Sequence, residues 1–256
     1  MCSSDLPMPK RLSFQLYSAR NHTSLADTMQ ILGKAGYKEV EGFGGLYGDA
    51  SGLKVLMNAQ GITMPTAHFG IDALENDKKG TLKTLKTLGI RSIYCPHIGE
   101  DERPKDSAGW KAFGKRLGKI AAFYRNEGYS FGWHNHDFEF VALPDGKTPH
   151  ELIFKAAPML DWEMDIAWVI RGGGDPIKMI KKYAANITSV HIKDIAAKGK
   201  NADEDGWADV GHGTVDWKPI MVALKKTRVR NYVLEHDKPS DTARFANRSF
   251  EAASKL

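Results

Sequence analysis

Two rhythms of apolar residues alternate along this chain. In the first, they return at three- and four-residue spacings, as in Trp110, Phe113, Leu117, Ile120 and Tyr124, in Leu82, Leu85 and Leu88, and in Trp217, Ile220, Met221 and Leu224. That is the period of one buried helix face. In the second, short β-rich runs stand between the helices. Four of the switches from helix to strand carry a glycine, at Gly36, Gly61, Gly89 and Gly128. Glycine closes a helix in the left-handed conformation at no steric cost, so these joints mark a repeated unit. The pattern predicts strands near 11–17, 37–43, 62–68, 90–97, 129–136, 160–165, 187–193 and 230–236. It predicts helices near 24–35, 50–60, 72–88, 107–127, 149–156, 175–184, 216–227 and 240–254. Such alternation implies parallel strands joined by right-handed crossovers. Eight units within 256 residues predict an α/β protein with a single (β/α)8 TIM barrel, whose usual length is about 250 residues. No linker rich in Pro, Gly or Ser divides the chain. One domain over 11–256 is expected, behind a disordered N-terminus at 1–10.

Composition narrows the function. Apolar residues make up 42%, and 36 basic residues against 31 acidic give a dispersed net charge of +5. There is no basic stripe with interleaved aromatics, which disfavours a nucleic-acid partner. No apolar run approaches the roughly 18 residues of a membrane span. The two cysteines, Cys2 and Cys95, make no disulfide framework. Met1–Lys10 lacks the apolar core of a signal peptide. A cytoplasmic location is the default. Export is the alternative, with Cys2 a lipoprotein remnant, if a leader was removed. A homo-oligomer remains open.

The polar residues supply the chemistry. In a parallel barrel the active site forms at the carboxyl ends of the strands. Six of the nine histidines fall at such ends: His68, His97, His134, His136, His191 and His236. Acids join them at Asp137, Glu139, Glu163, Asp165, Asp194, Glu235 and Asp237. Any one such histidine is more often a surface or hydrogen-bonded residue than a ligand. Their conjunction points to one divalent metal ion, with Asp165, His191 and Glu235 as the preferred inward groups. Alternation turns Asp194 and His236 away from them. Carboxylates with imidazole suit Mn²⁺, Mg²⁺, Co²⁺ or Zn²⁺. The irregular segment 195–215 is expected over the barrel mouth as a mobile cover or an ordered substrate loop, or else as a plain insertion. Gly172-Gly173-Gly174-Asp175-Pro176 reads either as a phosphate-binding turn or as a tight loop with Pro at the first helical turn.

The chain resembles the xylose isomerase-like TIM barrel superfamily of sugar phosphate isomerases/epimerases. The resemblance runs from Phe14-Gln15-Leu16-Tyr17 to Glu235-His236-Asp237. It is carried by His134-Asn135-His136-Asp137-Phe138-Glu139-Phe140, Asp165-Ile166-Ala167-Trp168, Gly174-Asp175-Pro176 and His191-Ile192-Lys193-Asp194. It implies one divalent ion held by Glu, Asp, His and Glu from strands five to eight. Asp165, His191 and Glu235 fill the last three places. His134 stands at the usual strand-five glutamate position, so Glu139 is the expected carboxylate, with His134 as the alternative ligand.

The resemblance further implies a small carbohydrate substrate and proton abstraction next to a carbonyl through an enediolate, giving isomerisation or epimerisation. Glu235 or Glu139 would be the base, and Lys193 would hold an oxyanion or pair with Asp194. His68, His97 and His136 would bind hydroxyls, and Trp168 and Trp207 would stack on the sugar. Dehydratase, lyase or hydratase action on keto-sugars or inosose is the alternative on the same site. A DNA-repair endonuclease or a non-catalytic sugar-binding barrel are the remaining readings of the fold.

Overall fold

The structure is a computed structural model and describes residues 11–256. The expectations for 1–10, Cys2 included, lie outside the described residues. Eight parallel strands form a closed barrel. They are β1 (Leu12–Gln15), β2 (Glu39–Gly42), β3 (Thr63–His68), β4 (Ser92–Cys95), β5 (Ser130–His134), β6 (Asp161–Asp165), β7 (Ile187–Ile192) and β8 (Asn231–Leu234). Each pairs with its successor, and β8 closes on β1 through Leu12 with Tyr232 and Phe14 with Leu234. The outer layer comprises α1 (Leu25–Ala35), α2 (Ala50–Ala59), α3 (Ile71–Asn76), α4 (Lys78–Leu88), α5 (Ser107–Asn126), α6 (Pro149–Ala156), α7 (Ile166–Arg171), α8 (Pro176–Lys182), α9 (Trp217–Leu224) and α10 (Thr242–Ala253). This is the expected (β/α)8 TIM barrel. All four joint glycines have positive φ, between 63° and 103°.

Local chemistry explains the departures from the expected elements. The helix expected over 72–88 breaks at Asp77, whose side chain accepts from Gly80 N and starts α4. The unexpected α7 follows β6 without a loop, because Asp165 Oδ1 accepts from Trp168 N at 2.9 Å and caps it. In the Gly172–Gly174 turn, a Cβ on Gly172 would lie 2.5 Å from the Asp137 carbonyl oxygen. Pro176 opens α8. Close packing accounts for Gly172 and Gly174, and a left-handed φ of 82° for Gly173.

Aliphatic and aromatic side chains fill the layer between strands and helices. The barrel lumen is different. Branched aliphatics fill the interior of most such barrels. Here Gln15, Glu41, His68, Glu163 and His191 meet across it, all buried.

Candidate metal centre

The centre is assembled at the ends of β5 to β8. His191 occupies the middle. Its Nδ1 lies 2.9 Å from Glu235 Oε2 and 4.0 Å from Asp165 Oδ2, and its Nε2 lies 2.7 Å from Glu41 Oε1. His134, at the end of β5, completes the group. One ligand atom from each of His134, Asp165, His191 and Glu235 falls within 4.8 Å of all the others, and all four residues are buried. Asp165 Oδ2 has no hydrogen-bond partner. A buried acceptor left without a partner costs about 1–3 kcal/mol, and a cation among these donors would satisfy it. Two carboxylates and two imidazoles suit Zn²⁺, Co²⁺ or Mn²⁺. The residues therefore fit a divalent ion.

Burial and charge oppose each other throughout this group. Burial raises the Asp165 carboxyl to about 7, against the pull of Lys193 and His191. Burial also disfavours ionised Glu235, but Lys193 and His191 hold it well below the usual carboxylate range. His191 is likewise opposed by burial, yet Glu163, Glu235 and Glu41 hold its imidazole well above its ordinary value in the ion-free chain. Burial and Lys193 push His136 down to about 3, which leaves its ring neutral.

Lys193 is fully buried and does not use Asp194. Its Nζ lies 2.5 Å from Asp237 Oδ2, 3.4 Å from Glu235 Oε2 and 3.8 Å from Asp165 Oδ2. It also sits 4.3 Å from the Trp207 ring centroid and 4.9 Å from that of Trp168. Asp194 instead pins the 195–215 excursion, accepting from Ile195 N, Gly211 N, Val215 N and Trp217 Nε1. A short antiparallel ladder and Trp207, only 1% exposed, make this segment an ordered part of the mouth.

Two expectations need correction. Glu139 does not reach the centre. Its Oε1 accepts from Trp133 Nε1 and its Oε2 from His136 N, both at 2.8 Å. Successive strand residues face opposite ways, so a carboxylate paired with the Trp133 indole lies on the other side of β5 from His134. Burial raises its carboxyl to about 8. The alternative, His134, occupies the place. Trp207 is no stacking platform either, because the Arg171 guanidinium covers its ring at 3.1 Å.

His68, His97 and His136 do line the mouth, in a cavity of about 480 Å³ with Glu235 in its wall. Trp168 is half-buried beside His136, ring centroids 5.2 Å apart. The same cavity takes in Tyr17, Arg20, Phe43, Asp205 and Asp237, which were not expected to bind substrate. Tyr17, Arg20 and Phe43 follow strands whose ends carry no acid-histidine cluster. Asp205 enters from the 195–215 segment in a left-handed conformation, φ 55°.

A family model described as "Xylose isomerase-like TIM barrel" matches residues 30–253. The chain belongs to this family. Among curated relatives, the rhizopine catabolism protein MocC of Rhizobium meliloti is 23% identical over 243 residues, covering 83% of this chain and 74% of its own. Inosose dehydratase of Clostridium beijerinckii is 25% identical over 142 residues, covering 49% of this chain; the match spans about half its own length, 46%. Solved structures share the fold. A sugar phosphate isomerase/epimerase from Parabacteroides distasonis superposes with a TM-score of 0.77 at 17% identity, covering 99% of this chain and 96% of that one. The IOLI protein, solved with a bound zinc atom, gives 0.72 at 17% identity, covering 96% and 95%. Among the described residues no helix is long and apolar enough to cross a membrane.

Proposed function

We propose that this barrel is a divalent-metal-dependent enzyme that removes a proton next to a carbonyl in a sugar or polyol derivative, leading to isomerisation or epimerisation. The observation that carries the reading is the convergence of His134, Asp165, His191 and Glu235 beside the mouth cavity. A bound ion there supplies Lewis-acid stabilisation of negative charge on substrate oxygens. Glu235 borders the cavity in its ionised form and is the general base. Lys193 acts through Glu235 and Asp237, holding both carboxylates in place, and is a positioning residue. His97 and His136, neutral on the wall, bind hydroxyls.

One feature favours dehydration as the second reading. With His134 in place of the implied strand-five glutamate, Glu235 faces a wall of imidazoles instead of a second carboxylate. Glu235 would take the α-proton and pass it to the departing β-hydroxyl, which would leave as water, with His97 and His136 hydrogen-bonding that hydroxyl. The similarity to inosose dehydratases points the same way.

The test is chelator-stripped protein reloaded with Mn²⁺, Mg²⁺, Co²⁺ or Zn²⁺, offered ketoses, inososes and 3-keto-glycosides in D₂O. Metal-dependent exchange of the α-hydrogen is expected, and its loss in Glu235→Ala. Full turnover by the stripped protein would overturn the reading. The product then separates isomerisation from dehydration.

A further inference from the structure

Below the mouth centre lies a second convergence of donors that the proposed chemistry does not use. Glu41 on β2 and Glu163 on β6 are both fully buried. Glu41 Oε1 lies 2.7 Å from His191 Nε2 and 3.1 Å from His68 Nε2. Glu163 Oε2 lies 2.5 Å from His68 Nε2 and 3.3 Å from both His191 Nε2 and His134 Nδ1. One ligand atom from each of His68, His134, Glu163 and His191 lies within 4.8 Å of the others. Donors held about 2.0–2.2 Å from one ion stand roughly 3.0–3.5 Å apart, close to most of these separations.

Hydrogen bonding leaves this group unsatisfied. Three imidazole nitrogens surround one oxygen of Glu163, and His68 Nε2, with at most one proton, faces two carboxylates. Meanwhile Glu41 Oε2 and Glu163 Oε1 are buried without partners. So are the hydroxyls of Ser13, Thr66 and Ser189, which alternation places on the lumen side with Gln15, His68 and His191. Native structures keep few such orphans, and each calls for an occupant or a role.

Charge points the same way. Five carboxylates, from Glu41, Glu163, Asp165, Glu235 and Asp237, share this column with the single ammonium of Lys193. These groups alone carry four negative charges, two after a divalent ion binds at the mouth; Arg20 and Arg171 act on Asp237 from the rim, whereas Glu41 and Glu163 have imidazoles and the Gln15 amide beside them. Buried charge left uncompensated is costly.

We propose that the lumen binds a second divalent cation beneath the mouth centre, held by Glu41, His68 and Glu163. His191 stands between the two positions, presenting Nδ1 to Asp165 and Glu235 and Nε2 to Glu41 and Glu163. The lower site stands on its own ligands and does not require the upper one to be catalytic.

The experiment loads the stripped full chain with Mn²⁺ alone, removes free ion, and counts bound metal by mass spectrometry. Two equivalents per chain are expected, falling to one in Glu163→Gln and in Glu41→Gln. Two neighbouring Mn²⁺ ions should also give a broadened, spin-coupled electron paramagnetic resonance signal. Either variant should restore the six-line spectrum of an isolated ion. One equivalent in the parent, lost in Asp165→Ala but kept in both glutamine variants, overturns the lower site and leaves the mouth centre standing. One equivalent lost only in the glutamine variants supports the lower site and overturns the mouth reading. No bound metal overturns both. The parent spectrum decides the matter even if a variant fails to fold.

Discussion

His191 and His150 are both completely buried, yet one is held protonated and the other neutral. His191 stands in the barrel lumen among Glu41, Glu163 and Glu235, which outweigh the desolvation of its cation and hold its proton. His150, on α6, stands in the layer between helices and strands. Phe140, Phe154, Trp162 and Tyr183 enclose it at ring separations of 4.2–5.1 Å, and neither ring nitrogen has a partner. Desolvation meets almost no opposition there, and its pKa falls to about 3. Burial alone therefore does not mark a functional histidine. The charges that share its compartment do.

The largest test of this contrast removes the one ammonium of the charged compartment. Lys193→Met strands Asp165, Glu235 and Asp237, and deleting one partner of a buried ion pair costs about 3–5 kcal/mol. Urea unfolding of the ion-free protein should show that loss, and added divalent metal should recover part of it. A change below about 1 kcal/mol would mean that the column is hydrated and that the two compartments do not differ in kind.

His150 tests the other compartment through pH. Its folded pKa is depressed from 6.5 to about 3. The unfolded chain therefore takes up the proton first, and the stability contributed by the neutral ring is present above pH 6.5 and lost as pH falls toward 3. The slope is about 1.4 kcal/mol per pH unit. Relative to His150→Phe, the parent should lose about 3 kcal/mol between pH 6.5 and 4. His134, His136 and His236 shift in the same direction but remain in both proteins, so the difference isolates His150. A flat difference would place water in the aromatic cage.

The sequence made the barrel legible because its signals are local. Each apolar period and its closing glycine are written within one helix and the turn that ends it, and each glycine takes the conformation its position requires. Asp165, His191 and Glu235 were legible for a related reason: a strand end in this fold has a known destination. What stayed hidden depends on side chains far apart in the chain. Glu41 lies 150 residues from His191, the partner it meets across the lumen, and a glutamate on β2 gave no sign of that partnership. Trp207 read as a platform because the approach of Arg171 over its ring is a tertiary event. Glu139 is the exception. The alternation of Trp133 and His134 was already visible, and a carboxylate five residues past His134 had no reason to share its face.

Glu139 also gives the smallest and sharpest test, since it is a buried acid beside the centre that should behave like a packing residue. Its two oxygens accept from Trp133 Nε1 and His136 N, and burial already raises its carboxyl to about 8. A neutral amide differs little from that state. Glu139→Gln keeps one acceptor and turns an N–H toward the other donor, which should cost about 1 kcal/mol of stability, the lower end for an unmet buried hydrogen bond. Bound metal should be unchanged. His134→Ala should instead reduce metal affinity while its effect on the 136–140 turn stays small. If Glu139→Gln loses the ion and His134→Ala keeps it, the carboxylate leaves the Trp133 indole when metal binds, and the ligand assignment on β5 reverses.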